Sequence, residues 1–485
     1  MKQYSCDVAI VAGGVSGLAA AITVAEAGLS AIVLEKSSVL GGTANMGMGP
    51  LGIGTIHQKR ELSNITVEKA FKMFMDYTHW RSDARLVKKY FEKSGETIEW
   101  LEDMGVVFYK AAKYFPGAEA TWHIVQPEQG VPGSRCAGVM MKRMVERAQE
   151  LGVQMFVDTP AESIMMDNDR ACGVIASSKD GEKIEVSSKA VIIATGGIGD
   201  NPEMMKEVSD IEYGKNYFGF RVPGLAGDGI RMAWAVGAGH TPINSEVNLR
   251  IVGEDDGNIR STFFQPNLMV NKNGLRFFDE GTIENGTFAG NACKFQPDSF
   301  GLMVFDSRIK NIYIKKGIDF VRPVFHQDSV DDDAFMSIME RAKSEGHESL
   351  YMTDTLEELA DLAGIDKEAF LQTVEEYNEM CESYDSLFYK SHEYMRKISK
   401  PPFFAAKLRP GGYGTLGGIK VNENMEVLRD DWSVIKGLYA AGTDTCTIYG
   451  DSYMFLLPGN TMGYALNSGR IAGESIDQFI SENED

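Results

Sequence analysis

Four short apolar runs without polar alternation organise this 485-residue chain. Asp7 to Val11, Ala31 to Leu34, Ala190 to Ala194 and Leu438 to Ala441 are patterned as strands buried on both faces. Each ends at small residues or at Glu35. Ser16 to Ala27 predicts a helix stopped by Gly28, so the first two runs and this helix make one βαβ unit. The texture then changes. Thr66 to Met104 is helical in pattern, and Val139 to Leu151 repeats apolar residues at three- and four-residue spacing, as an amphipathic helix does. From about Glu246 to Ser399 the strand-then-glycine signature disappears. There Thr355 and Glu358 pattern a capping box ahead of Leu359 and Leu362, and a second helix, Lys367 to Cys381, follows the turn at Gly364. The expected architecture is an α/β domain split into 1–245 and 400–485 by an inserted domain, 246–399.

Length supports this division, because a single core rarely grows to serve so many residues. A formal net charge of −21 repels phosphate backbones and anionic lipid, which makes nucleic acid and membrane surfaces poor candidate partners. The six cysteines are scattered without a CxxC, arguing against a metal or iron–sulfur site and for a reducing compartment. Val8 to Ala27 imitates the core of a signal peptide, but Asp7 precedes it without a basic segment and Gly13, Gly14 and Gly17 interrupt it. No run is long enough to span a bilayer, so a cytoplasmic protein is expected.

The interruptions carry the chemistry. Ala12-Gly13-Gly14-Val15-Ser16-Gly17 is an AxGxxG form of the dinucleotide fingerprint, placed between strand and helix. Gly14 admits a pyrophosphate to the backbone, Gly17 admits the helix to the strand, and the helix N-terminus faces the phosphates. Glu35, at the tip of the second strand, is suited to accept ribose hydroxyls. Lys36 follows, and then Gly41-Gly42-Thr43-Ala44-Asn45-Met46-Gly47-Met48-Gly49, a run of small residues that lets backbone lie against a flat ligand. Ala194-Thr195-Gly196-Gly197 and Gly437-Leu438-Tyr439-Ala440-Ala441-Gly442-Thr443-Asp444 complete the set. Singly each is a buried strand and its turn; in this order the four predict a dinucleotide cradle.

With these motifs the chain resembles the flavoprotein family of soluble fumarate reductases, succinate dehydrogenase flavoprotein subunits and ketosteroid dehydrogenases. The likeness extends through Tyr77-Thr78-His79-Trp80, Ala226-Gly227-Asp228-Gly229-Ile230, Asn271-Lys272-Asn273-Gly274-Leu275-Arg276-Phe277, Thr415-Leu416-Gly417-Gly418, Gly459-Asn460-Thr461-Met462-Gly463 and Ser468-Gly469-Arg470-Ile471-Ala472-Gly473-Glu474. It implies a Rossmann-like FAD-binding domain with an α+β capping domain inserted over the isoalloxazine ring. It also adds Ala161, Asp228, Asn460, Thr461 and Met462 to the expected cofactor contacts. Covalent members use a histidine in the glycine loop. That loop has none here, so noncovalent FAD is expected.

Departures from the family define the expected substrate. Soluble fumarate reductases clamp a dicarboxylate with a histidine before TxGG, an arginine before the late GGN and a Thr-Glu pair in the cap, and they protonate with an arginine after an NExTT-like segment. The corresponding places read Gly414, Leu456, Phe263-Phe264-Gln265-Pro266, and Glu284 or a neighbour. A dicarboxylate held without these cations would leave buried charge unpaired. Tyr413, Tyr449, Tyr453 and Phe455 stand at the substrate-facing segments instead, pointing to an apolar or aromatic ligand. Tyr453 and Gly459 resemble the tyrosine and glycine amide that polarise the carbonyl in ketosteroid dehydrogenases. The expected activity is an ene reductase or α,β-dehydrogenase acting on an enone- or enoate-like molecule, with candidate catalytic residues Tyr453, Gly459, Tyr413 and Glu284. A separate electron donor or acceptor is expected, since no haem, iron–sulfur or second dinucleotide motif is present. A flavin-dependent isomerase or hydratase and a non-catalytic flavin-binding protein are the alternatives.

Overall fold

The four apolar runs become neighbouring parallel strands at the centre of a ten-stranded sheet. In the computed structural model, which describes residues 1–321 and 329–484, Val8–Val11 lies between Ala31–Leu34 and Ala190–Ile193. Val434–Ala440 flanks the latter, and Gln154–Phe156 extends the sheet beyond Ala31–Leu34. Every residue of the first three strands is buried, which explains their unbroken apolar pattern. Backbone bonds continue the ladder past the strand ends, from Ala12 to Leu34, Ala194 to Val11 and Ala441 to Ile193. The four motifs are thereby gathered at the carboxyl edge, where open α/β sheets bind their ligands.

Helix Val15–Glu26 packs on this sheet, and the C-terminal helix Asn460–Glu484 packs on that helix. Their contact uses glycine. A Cβ on Gly469 would collide with the Ser16 carbonyl oxygen, and one on Gly473 would stand 2.9 Å from Thr23 Cβ. The long helical pattern from Thr66 resolves into two helices, Val67–Tyr77 and Ala84–Asp103. Between them His79 and Trp80 take left-handed φ values of 52° and 58°, and Asp83 caps the second helix.

A second hydrophobic core is built on a five-stranded antiparallel sheet, Asn248–Ile251, Leu268–Val270, Gly301–Asp306, Leu350–Thr353 and Phe403–Gly411. Its strands lack the glycine-closed signature because hairpin-type neighbours need no ligand-facing turn. Phe403–Gly411, which the sequence reading placed with the nucleotide-binding segment from 400 onward, lies at the middle of this sheet, paired with three other strands. The chain rejoins the first core at Leu416. Phe263 and Phe264, expected near the substrate, are instead buried in the second core, where Phe263 meets Phe305 at a centroid distance of 4.9 Å.

The Asn271–Phe277 motif has a structural purpose in this cap. Arg276 is buried between Glu280 and Asp385, donating to Glu280 at 3.0 and 2.7 Å and to Asp385 at 3.0 and 2.8 Å. Lys390, also buried, lies 3.4 Å from Glu280 and donates to the Tyr377 hydroxyl at 3.1 Å. Burial works to raise the Asp385 carboxyl, but Arg276 overrides it and holds the group at about 2. Replacing Arg276 by Met leaves two buried carboxylates short of their shared cation, which typically costs about 3–5 kcal/mol. Arg276→Met is therefore expected to lower the urea midpoint of the cap sharply; a shift of less than about 1 kcal/mol would show that the network is replaceable.

Candidate functional site

The first turn sorts its glycines by task. A Cβ on Gly17 would strike the Ala12 carbonyl oxygen, so Gly17 sets the contact of helix and strand. A Cβ on Gly13 would strike Leu40. One on Gly14 would meet no atom within 4 Å, although Gly14 lies at the N-terminus of Val15–Glu26 and its Cα is only 3.3 Å from where a Cβ on Gly42 would stand. Protein packing does not require glycine at position 14; open access to the helix end does, as a pyrophosphate needs. Ala12 adopts φ 83° where the fingerprint's usual first glycine would stand, retaining the turn against a strain of roughly 1–2 kcal/mol.

Glu35 is buried beside this opening. Its carboxylate accepts from the Gly13 amide at 2.8 Å and the Ser37 amide at 2.7 Å, which fixes the group while leaving acceptor capacity for hydroxyls. The Glu35 carbonyl accepts from Thr159, two residues before Ala161, the first residue of strand Ala161–Asp167. Gly41 donates to the Gly13 carbonyl at 2.8 Å and leads into the 3-10 turn Gly42–Met46 containing Thr43. The loop is then pinned along its length. A Cβ on Gly47 would stand 2.5 Å from the Met462 methyl, one on Gly49 would strike the His123 carbonyl, and the Met48 carbonyl accepts from Val125. Lys36 pairs with Asp228, joining two residues expected separately at the cofactor.

Asp444 has another arrangement. Fully buried, it accepts from Thr195 N and from Gly197 N at 2.8 Å, and from the Thr195 hydroxyl at 2.9 Å. Its carboxylate ties the Thr195-Gly196-Gly197 turn to the Gly442–Asp444 turn, shaping the crevice from behind. Gly442 in turn has φ 71°, and a Cβ on it would stand 2.6 Å from Ser16 Oγ.

The candidate catalytic residues gather where the two cores meet. The Tyr453 hydroxyl lies 2.9 Å from the Thr461 hydroxyl and accepts from the Thr461 amide at 3.2 Å. Thr461 donates at 2.6 Å to Glu246, a buried carboxyl that sequence reasoning placed only at a domain boundary. Glu246 is anchored by the short pairing of Asn244–Ser245 with Thr415–Leu416 and by its own amide, which donates to the Gly414 carbonyl at 3.1 Å. Burial drives its carboxyl from the ordinary 4.5 up to about 7, against the opposing Thr461 bond. The negative charge of Glu246 and desolvation push the hydroxyl of Tyr413, an exposed residue, well above its usual range. Desolvation and Glu246 do the same to Tyr453. An aromatic wall continues from there: Tyr453 meets Tyr449 at 5.1 Å and Phe455 at 4.8 Å, and Phe455 stacks on Tyr114 at 5.2 Å. Gly459, with φ 83°, is wedged against Pro50 and Leu51 and accepts from the Leu51 amide at 2.8 Å. Glu284 lies 3.5 Å from where a Cβ on Gly117 would stand, and its charge acts on Tyr394. The carboxyl acting on Tyr453 is Glu246.

Residues 7–461 match the profile of the FAD binding domain family. The chain belongs to that family. Among relatives of this flavoprotein, a vinyl phenol reductase from Lactiplantibacillus plantarum is 30% identical over 99% of this chain and 98% of its own. An NADH:fumarate oxidoreductase from Klebsiella pneumoniae is 27% identical over 97% of this chain, which spans only 47% of that longer protein. Among solved structures, a 3-ketosteroid-Δ4-(5α)-dehydrogenase from Rhodococcus jostii in complex with 4-androstene-3,17-dione superposes with a TM-score of 0.77 at 25% identity, over 98% of both chains. The flavoprotein is an FAD-dependent oxidoreductase, and its residues fit the cofactor by the open approach at Gly14, with Glu35 fixed beside it.

A Cβ on Gly414 would stand 2.8 Å from Glu246 Cδ and 3.0 Å from both carboxyl oxygens. A side chain at this position would collide with the buried carboxyl.

Two outcomes test this geometry. Gly14→Val is expected to yield folded protein from which FAD is absent after gel filtration, whereas Gly17→Ala is expected to lower the melting temperature as well, by overpacking worth about 1–3 kcal/mol. Full FAD occupancy in Gly14→Val would show that the pyrophosphate lies elsewhere. For Glu246, the folded value lies above the unfolded one, so its contribution to stability is fully present below about pH 4.5 and is lost as pH rises through about 7. Relative to Glu246→Gln, the wild type is expected to lose roughly 3 kcal/mol between those limits, read from urea midpoints. A difference that does not vary with pH would mean that Glu246 is not desolvated.

Proposed function

We propose that this flavoprotein uses noncovalently bound FAD to reduce an activated carbon–carbon double bond in a neutral, apolar or aromatic small molecule. The observation that carries this reading is the buried Glu246 carboxyl in the place of the clamp histidine, bordered by Tyr413, Tyr453, Tyr449 and Phe455. A carboxylate ligand there would face a carboxyl instead of a cation, whereas a flat neutral ligand finds aromatic surface and hydroxyl groups. The similarity to a vinyl phenol reductase across nearly both whole chains supports the same class of substrate.

When bound, FAD supplies the hydride. The chain's own residues do the rest. Gly13, Gly14 and Glu35 hold the pyrophosphate and ribose, and the glycine loop from Gly41 to Gly49 lies along the cofactor. The N-terminus of Asn460–Glu484 would turn its positive end toward bound FAD and stabilise negative charge gathered there. Tyr453 delivers the proton to the carbon that does not receive hydride, while the backbone at Gly459 fixes the activated end of the substrate. Tyr413 stands within the field of Glu246 and supplies ring surface. A separate donor restores the reduced cofactor.

Anaerobic photoreduction followed by stopped-flow reoxidation tests the reading. 4-Vinylphenol or 2-cyclohexenone is expected to reoxidise the enzyme at least about 100-fold faster than fumarate, as an unpaired buried carboxylate costs several kcal/mol. Fumarate as the best acceptor would sink the proposal. Tyr453→Phe is expected to keep FAD and fold while slowing reoxidation by about 100- to 10,000-fold.

A further inference from the structure

The hydroxyl of Tyr453 is enclosed. Its oxygen already meets both the amide and the hydroxyl of Thr461, and Thr461 has a single hydroxyl proton to share between Tyr453 and Glu246. Only two arrangements satisfy all three groups. With Glu246 ionised, Thr461 donates to Glu246 and Tyr453 donates to Thr461, so the tyrosine proton points away from any substrate. With Glu246 protonated, the chain reverses: Glu246 donates to Thr461, Thr461 donates to Tyr453, and the Tyr453 O–H is released toward its remaining open direction. The two states differ by one proton on Glu246 and by the direction of every hydrogen bond between it and Tyr453.

We propose that Tyr453, Thr461 and Glu246 form a proton relay in which Glu246 resupplies, through the Thr461 hydroxyl, the proton that Tyr453 gives to the substrate; this rests on the alkene-reducing reading above. The balance is simple. One carbon of the double bond takes the hydride supplied by the cofactor, and the other takes the Tyr453 proton as the tyrosine O–H bond breaks. The Thr461 proton passes to Tyr453, the Glu246 proton passes to Thr461, and the carboxyl ends as carboxylate to be reprotonated from water. Both electrons come from the external donor that reduces the flavin.

Without such a relay the transfer would leave tyrosinate in a buried aromatic wall. That is unfavourable, because desolvation and Glu246 both oppose the Tyr453 anion. The relay moves the charge to the group best able to hold it. Among the described residues the titratable groups bearing on Glu246 are Tyr217, Tyr413, Tyr449, Tyr453 and Cys446, all neutral when protonated, and the carboxyl titrates near neutrality. In this scheme Glu246 gives no proton to the substrate directly; it is a positioning and resupply residue.

The test uses the FAD-bound enzyme and two readouts. Infrared difference titration is expected to show a protonated carboxyl band in wild type that disappears near pH 7, is absent in Glu246→Gln, and is displaced in Thr461→Val but not in Thr461→Ser. Photoreduced wild type mixed with 4-vinylphenol is expected to reoxidise at a rate that falls about tenfold per pH unit above about pH 7. Glu246→Gln and Thr461→Val are expected to be roughly 100-fold slower without that dependence, and Thr461→Ser to restore both rate and profile. A wild-type rate and pH profile in Glu246→Gln would overturn the relay while leaving the proposed reaction standing. So would a variant in which only the apparent affinity for 4-vinylphenol weakens, since Glu246 would then be a substrate-binding group. A carboxyl band that titrates near pH 4.5, or that ignores Thr461→Val, would overturn the relay irrespective of turnover. A wild type whose band behaves as expected, but which neither 4-vinylphenol nor 2-cyclohexenone reoxidises, would support the chain of hydrogen bonds and refute the reaction.

Discussion

Helix Val15–Glu26 is pressed between the sheet and the C-terminal helix with no side chain separating the backbones at Gly17 and Gly469, and with Gly442 against Ser16. This close approach fixes where everything else stands. It holds the helix N-terminus beside Gly14 and Glu35, where the phosphates and ribose belong, and it sets the axial position of a helix that begins at Asn460 and Thr461. A side chain at Gly469 would push the C-terminal helix outward and carry Thr461 with it. The proton-handling corner is thus tied mechanically to the dinucleotide turn: one packing contact sets both ends of the site.

Legibility in the sequence follows from how local each cause is. The buried parallel strands and their glycine turns were readable because a strand covered on both faces must be wholly apolar and because a ligand-facing turn demands small residues. Ala12 hid part of the fingerprint, since its φ of 83° is set by surrounding structure and not by its own preference. The cap sheet was not read as strands because its turns carry no ligand, and Phe403–Gly411 was divided from it because a boundary was sought where the nucleotide motifs resume. Asp444 was legible as a conserved-type position of the cofactor motif but not in its role, which depends on a turn 247 residues away along the chain.

Glu246 was the chief omission, and the reason is physical. In the segment Val247, Leu249 and Ile251 alternate as buried residues, so Glu246 falls in the phase that a solvent-facing side chain would occupy. It is buried because that phase faces the first core at the junction, which is a property of the fold's assembly. The sequence did contain one signal. A glycine stands at 414, where the resemblance to soluble fumarate reductases leads one to expect a histidine, and a missing side chain in a packed site implies that something else fills the space. The carboxyl lies 2.8 Å from where that side chain would begin.

A buried carboxyl near neutrality is an unstable arrangement to maintain, and the two cores differ in how they treat such groups. In the cap, Arg276 and Lys390 neutralise Glu280 and Asp385 so completely that the network serves as a fixed frame. At the junction, the groups bearing on Glu246 among the described residues are hydroxyls and a thiol, and none of these is a cation opposing its desolvation. The difference decides what each cluster is able to do. The guanidinium of Arg276 holds the Asp385 carboxyl well below the usual carboxylate range, so it exchanges no protons near neutrality. A carboxyl whose two protonation states lie close in free energy at neutral pH gives up and recovers a proton readily, which is the property that proton transfer requires. The frame is linked to the junction by the cap helix Gly286–Lys294, whose Thr287 donates to the Tyr453 carbonyl at 3.0 Å and whose Asn291 reaches Ser452 at 3.2 Å. Rigid charge pairing in one core therefore holds in register the tyrosine whose hydroxyl, through Thr461, senses the labile charge at the other.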